Sequence, residues 1–257
     1  MSNEKFFITA AEKIIPLVND SPYKRILAIG DMHAAFDKLL TLWEKISVTT
    51  GDLVIFLGDY LFGRLGNNFE TLRWLVAHGG QPNIKFLHGN GDDEFLNIFF
   101  DKQGNLYDDF DRNFVNKIKD VAVDEPEFPR KIFDFMNGLE NSFSVTVGGK
   151  KYFFCHAGIK VGVPLDKQTK TYLVDHPHIK DFYNDYSGDA VIVVGHKAPI
   201  KIFGKLPQLF VGGATDIEKM RPMKVPARNI LMLDTRAKDT CGYLSCVDVL
   251  SGEFWQA

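Results

Sequence analysis

Five short apolar runs in this chain are followed by residues that bind metals or phosphate. The first leads into Gly30-Asp31-Met32-His33, the second into Gly58-Asp59-Tyr60, and the third into Gly89-Asn90-Gly91-Asp92. The fourth ends in His156-Ala157-Gly158 and the fifth in Gly195-His196. Ligand sites in α/β sheets lie beyond the carboxyl ends of the strands. If the runs are strands, two Asp, one Asn and three His meet on one rim. Oxygen and imidazole donors without thiolates suit Mn, Fe or Zn. Each motif alone is weak. Gly-Asp occurs five times, and Asp52, Asp92 and Asp189 follow glycine without fitting the ligand pattern. The reading rests on the ordered set, each member placed directly after an apolar run.

Those runs need a scaffold. Residues 25–29, 53–57 and 84–87 have the length of buried strands. Between them Phe36, Leu39, Leu40, Trp43 and Ile46 recur at helical spacing, as do Phe69, Leu72, Leu75 and Val76. The alternation predicts a parallel sheet with right-handed crossovers. Residues 1–20 read as a polar, partly helical lead-in. Residues 93–137 break the rhythm and read as helical and acidic, with eight acids against four bases between Asp101 and Glu127. This insertion is either solvated or a cap that repels polyanions. Residues 142–147 and 151–155 flank Gly148-Gly149, a hairpin signal. Runs at 191–194, 229–233 and 243–250 follow as strands, and this second half is expected to be closer to antiparallel. The expectation is one α/β domain over 1–257, with two packed sheets and the insertion 93–137 within it.

Composition narrows the classes. Among 257 residues, 30 Lys and Arg stand against 33 Asp and Glu, a net charge of −3. A dedicated nucleic-acid binder normally carries a basic excess. The apolar runs are far shorter than the roughly 20 residues a membrane helix needs. The start, Met-Ser-Asn-Glu-Lys-Phe-Phe, lacks the basic and apolar regions of a secretory signal. Cys155, Cys241 and Cys246 are too scattered for a disulfide framework. A reducing cytoplasm and no membrane partner are expected.

The ordered motifs resemble the calcineurin-like metallophosphoesterases, and within them the phosphoprotein-phosphatase branch. That branch includes bacterial and phage Ser/Thr phosphatases and symmetrical diadenosine tetraphosphatases. The resemblance rests on Gly30-Asp31-Met32-His33, Leu57-Gly58-Asp59-Tyr60 and Gly89-Asn90. It continues through Phe154-Cys155-His156-Ala157-Gly158-Ile159, Val194-Gly195-His196-Lys197-Ala198-Pro199 and Leu233-Asp234-Thr235. It implies an α/β/β/α sandwich and a pair of divalent ions, manganese first, with iron or zinc as alternatives. By the same resemblance Asp31 and His33 hold the first ion, Asp59 bridges both, and Asn90, His156 and His196 hold the second. Two such ions can clamp a phosphoryl oxygen and acidify a bridging water, whose hydroxide attacks phosphorus.

The chain departs from the family at two places. After the tyrosine of the second motif the family usually continues Asp-Arg-Gly, whereas this chain reads Tyr60-Leu61-Phe62-Gly63-Arg64. The third motif usually has His after the Asn, where this chain has Gly91. In the family that His protonates the leaving oxygen and the missing Asp orients it, so both halves of one dyad are absent. Arg64, one place out of register, is either a phosphate clamp or a solvent-facing Arg. His88, sharing the Asn90 face if the third strand persists that far, Asp92 and Asp93 are each either a substitute acid or a surface or helix-capping group. The basic stretch 219–228 is either a charged loop or a border of the substrate groove, and Arg236 is at most a candidate for a substrate role. The function implied is hydrolysis of phosphomonoesters, on protein Ser/Thr or on small molecules. Two alternatives stay open: a phosphodiesterase or dinucleoside tetraphosphatase, and a catalytically impaired metal-binding pseudo-phosphatase.

Overall fold

The computed structural model describes residues 22–63, 67–107, 112–203 and 220–257. The lead-in read over 1–20 lies outside the described residues. β1 (Arg25–Ile29), β2 (Asp52–Phe56) and β3 (Ile84–Phe86) pair in parallel. Their side chains alternate between faces, as a period of two requires. Leu27, Ile29, Val54 and Phe56 face a helical layer: α1 (Phe36–Ile46), α2 (Asn68–His78), α3 (Asn90–Phe99), α4 (Arg112–Asp124) and α5 (Phe128–Asn137). That layer contributes Leu39, Leu72, Phe95, Ile118 and Ile132 to the same core. Ile26, Ala28, Leu53 and Ile55 face the other way, onto Tyr152, Phe154, Val193 and Leu231 of a second sheet.

The second sheet contains β4 (Ser142–Val147), β5 (Lys150–Cys155), β6 (Val191–Val194), β7 (Met223–Lys224) and β8 (Ile230–Met232), in the order β4-β5-β6-β8-β7. Its outer face, with Phe153, Ile192 and Met232, packs on Leu173 of α6 (Lys170–Val174) and Phe182 of α7 (Ile179–Asp185). The layers run helix, sheet, sheet, helix, the α/β/β/α sandwich expected from the sequence. The hairpin between β4 and β5 turns through Gly148 and Gly149 at φ 56° and 75°. A two-residue turn with both central residues left-handed matches the twist of the strands it joins.

The second sheet is mixed: β4 with β5 and β7 with β8 pair antiparallel as expected, whereas β5, β6 and β8 are parallel neighbours. The helices α6 and α7 lie between β5 and β6 and provide the long crossover that parallel pairing needs. The expected strand 243–250 shortens to β9 (Ser245–Asp248), which returns to the first sheet beside β1, followed by β10 (Phe254–Gln256). With two and three residues, β7 and β10 are too short to show a period. The break read at residue 93 falls inside α3. Phe95, Phe99, Phe114 and Phe128 bury their rings in the core of the first sheet, so these helices form its outer layer.

One ion pair ties this layer to the sheet. Asp52 receives Arg25 Nε at 2.9 Å, Arg25 Nη2 at 2.6 Å and the Thr49 N–H at 2.7 Å. Arg25 Nη1 also donates to Ile46 O at the end of α1, at 3.0 Å. The Arg25 hydrogen bonds outweigh burial and hold the Asp52 carboxyl at about 2. A folded pKa below the unfolded value adds stability above the unfolded pKa, which is lost as pH falls through the folded one. Asp52→Asn is therefore expected to destabilise the protein by roughly 2 kcal/mol at pH 7. Urea melts should show that gap closing between about pH 4 and pH 2. A gap unchanged at the acid end would rule out charge pairing as its source.

Candidate metal centre

The chain turns sharply where each strand ends. His33, Asp59 and His196 adopt left-handed backbone at φ 46°, 53° and 62°. Non-glycine residues held there cost about 1–3 kcal/mol each and persist when the surroundings over-determine them. Here the Met32 and His33 N–H groups both donate to Asp59 O, at 3.1 and 2.8 Å, and Ala34 N–H donates to Tyr60 O at 2.7 Å. The loops after β1 and β2 are thus stitched together. Gly58, at φ 101°, lets the β2 loop approach Gly89, where a Cβ would lie 2.5 Å from the Gly89 nitrogen.

The turns bring five donor residues into two groups that share one carboxylate, with Asn90 beside the second. Asp31, His33 and Asp59 form the first, and Asp59, His156 and His196 the second, with the donor atoms of each group within 4.8 Å of one another. His33 Nε2 lies 3.9 Å from Asp31 Oδ2 and 3.7 Å from Asp59 Oδ2. His156 Nε2 lies 3.5 Å from Asp59 Oδ1, 3.2 Å from Asn90 Oδ1 and 3.2 Å from His196 Nδ1. His156 Nδ1 donates to Leu57 O at 2.8 Å, which turns the lone pair of Nε2 toward this cluster.

The donor chemistry fits cations. Among the described residues, acceptor atoms face acceptor atoms here without a protein cation between them. Burial and the Asp234 and Asp59 carboxylates push the Asp31 carboxyl well above its usual range, against the His196 N–H that it accepts. Burial also pushes Asp59 up, but His156, His33 and the Gly91 N–H prevail and hold it below its ordinary value. Burial lowers His33, and burial with the neighbouring His156 and Lys197 lowers His196 to about 3. Both rings are therefore neutral and have a lone pair to offer. Glycines leave the space the donors need. A Cβ at Gly195 would lie 2.0 Å from Asp31 Oδ1, and one at Gly89 would lie 2.4 Å from Asp59 Oδ1.

The candidates for a substitute acid are placed differently from the six donors. Asp92 is fully buried and accepts the N–H groups of Gly89, Asp59 and Tyr60 at 2.8, 3.1 and 3.1 Å. It holds the Asp59 turn and the start of α3 from beneath. β3 stops at Phe86 and Asn90 opens α3, so His88 and Asn90 do not share a strand face. His88 Nε2 lies 3.0 Å from Asp93 Oδ1, which Lys170 Nζ also meets at 2.7 Å. Arg64 and Lys219 lie outside the described residues. Gly91 borders the centre, since a Cβ there would lie 3.2 Å from Asp59 Oδ1. Phe62 packs its ring against Phe95 and Phe99, at centroid distances of 6.1 and 6.3 Å. The position that is acidic in the resembling family is thus given to hydrophobic contact with α3.

Sequence reasoning missed Asp234 and Lys238 as site residues. Both charges act on Asp31 and His33. The Leu233-Asp234-Thr235 motif was the available signal for the first, whereas Lys238 sits in a loop with no pattern.

Comparison with known proteins agrees with this geometry. A sequence model of the calcineurin-like phosphoesterases matches residues 24–218. The symmetrical bis(5'-nucleosyl)-tetraphosphatase of Buchnera aphidicola subsp. Baizongia pistaciae is 32% identical over 71 residues. That match spans 28% of this chain and 25% of the relative, about a quarter of its length. A crystal structure of a provisionally assigned diadenosine tetraphosphatase superposes with a TM-score of 0.61 at 16% identity, covering 93% of this chain and 95% of the other. A metallophosphoesterase from Sphaerobacter thermophilus gives 0.50 at 15% identity, covering 91% and 88%. At these identities the two structures speak for the fold.

Proposed function

This chain belongs to the calcineurin-like phosphoesterase family and is a hydrolase, and on that premise we propose that it is a binuclear phosphomonoesterase. Asp31 and His33 would hold one divalent ion and Asn90, His156 and His196 the other, with the Asp59 carboxylate available to both. The observation that carries this reading is the Asp59 carboxylate, whose Oδ2 faces His33 and whose Oδ1 faces His156. Oxygen and neutral imidazole donors suit manganese, with iron or zinc as alternatives. When bound, such a pair polarises phosphoryl oxygens and lowers the pKa of water.

The protein's own residues do the rest. Leu57 O fixes the tautomer and direction of His156. The His196 N–H and Gly195 hold the Asp31 carboxylate close. Asp92 acts as a positioning residue for the Asp59 turn. Position 91 carries no side chain to protonate a leaving oxygen. Loss of general-acid help costs typically about 10²–10⁴-fold, so substrates with good leaving groups are favoured: aryl esters and phosphoanhydrides above alkyl esters. The natural substrate is a phosphorylated protein or a small-molecule phosphate ester. The bare Gly91 and the tetraphosphatase relative support a second reading, a dinucleoside polyphosphate or phosphodiester substrate. No helix among the described residues is long and apolar enough to cross a membrane.

The test compares an aryl phosphomonoester, its bis-aryl phosphodiester and an alkyl phosphomonoester on Mn²⁺-loaded protein. The aryl monoester is expected to react fastest, with the alkyl ester at least about 10²-fold slower. A faster diester would transfer the assignment to the second reading. Equal rates for alkyl and aryl monoesters would mean that a general acid is at work after all.

A further inference from the structure

β8 is followed by a loop, Leu233 to Gly242, that is built against the first group of donors. A Cβ on Gly30 would lie 2.3 Å from Leu233 O, and the Gly30 N–H donates to Ser245 O at 3.1 Å. The start of the loop and the start of β9 beyond it therefore both abut the turn that carries Asp31. The middle of the loop is clamped from α1, the helix after His33. Lys38 Nζ donates to Ala237 O, Asp239 O and Gly242 O at 2.9, 2.8 and 2.6 Å, using all three of its protons. Arg236 N–H donates to Asp234 Oδ1 at 2.8 Å, and Thr235 Oγ1 donates to Tyr243 O at 2.6 Å.

The loop lines an open cavity of about 480 Å³, bordered by Arg236, Lys238, Asp239, Thr240 and Cys241. Ligand pockets commonly hold about 300–1,000 Å³. Arg236 meets Asp239 through one amino group, and its Nε is buried without a hydrogen-bond partner. The Lys238 ammonium has no carboxylate within ion-pair distance among the described residues, yet its charge reaches Asp31 and His33. Two cations and one carboxylate, Asp239, thus line an open cavity in a loop that abuts the Asp31 turn.

We infer that Arg236 and Lys238 form an anion subsite that receives a second phosphate group of the substrate while the first lies at the metal pair. This inference rests on the phosphoesterase reading above. A guanidinium can hold two phosphate oxygens at once, and an ammonium adds a mobile point charge. The ligand chemistry is an oxyanion, and its two sources are a second phosphate on the same molecule or free phosphate.

Calorimetric titration of Mn²⁺-loaded protein with methylenediphosphonate and with orthophosphate, at constant free Mn²⁺, separates them. The wild type should bind the diphosphonate more tightly. Arg236→Ala and Lys238→Ala should each weaken it by about 10–100-fold, the range for a lost charged hydrogen bond. Orthophosphate affinity should stay within about 3-fold, because the subsite's contacts go to the second phosphate. Arg236→Lys should recover part of the loss, and thermal melts identify a variant that has merely unfolded. Equal losses for both ligands would make this a free-phosphate site and overturn the proposal. So would unchanged diphosphonate binding, or no preference for it in the wild type. Failure of the wild type to hydrolyse the aryl monoester would sink the phosphoesterase reading separately, since the binding comparison needs no turnover.

Discussion

Asp59→Asn is expected to lower kcat/KM for an aryl phosphomonoester by at least about 10³-fold, a loss of roughly 4 kcal/mol in transition-state stabilisation. The reason is its position between both donor groups, with Oδ2 facing His33 at 3.7 Å and Oδ1 facing His156 at 3.5 Å. An amide removes the charge that two cations would share, and its NH₂ is a donor where a cation needs an acceptor. The substitution is otherwise mild. Asn has nearly the same shape and tolerates the left-handed backbone that residue 59 adopts. Its oxygen can still accept the Gly91 N–H. Thermal stability in chelator should therefore change little, while manganese stoichiometry, measured after gel filtration, should fall below two per chain. Full retention of both activity and manganese would remove Asp59 from the centre.

Gly91→His should work in the opposite direction. The position is helical and has no positive φ, so a side chain is allowed. The new Cβ would lie 3.2 Å from Asp59 Oδ1, a contact that a shift of a few tenths of an ångström relieves. An imidazole there borders the two donor groups and can protonate a departing oxygen. The gain is expected to reach about 10²-fold or more in kcat for alkyl phosphomonoesters and to be small for aryl esters, which leave without a proton. A new basic limb in the pH profile of the alkyl reaction should accompany it. Adding Phe62→Asp would supply a carboxylate to orient the ring. It would also strip Phe62 from its contacts with Phe95 and Phe99, so the double variant should melt lower. Equal acceleration of both ester classes would point to a change in metal binding, and no acceleration of either would show that protonation is not what limits this enzyme.

The six donors are legible in the sequence because each follows an apolar run long enough to be a buried strand. A chain that alternates strand and helix delivers strand ends to one rim, so sequence order carries over into space. The helix Phe36–Ile46 and the hairpin at Gly148-Gly149 are legible for a similar reason, since a helical period and a paired glycine turn are local signals. Pairing direction is not. Whether β5 takes β6 as a parallel neighbour depends on how the intervening helices pack, and that contact lies outside any local window.

The site divides along the same line. Residue types and spacing pointed to the candidate oxygen and nitrogen donors. The resemblance already gave Asp59 the shared place; tertiary structure decided that Asp92 lies beneath it gathering three N–H groups, and that Phe62 belongs to the packing of α3. It also decided that the Leu233–Gly242 loop lies beside the Asp31 turn, through a clamp in which Lys38 reaches that loop about two hundred residues further along the chain. A donor's identity is written in one residue. Its orientation is set by the carbonyls, glycines and ring contacts that folding brings to it from distant parts of the chain.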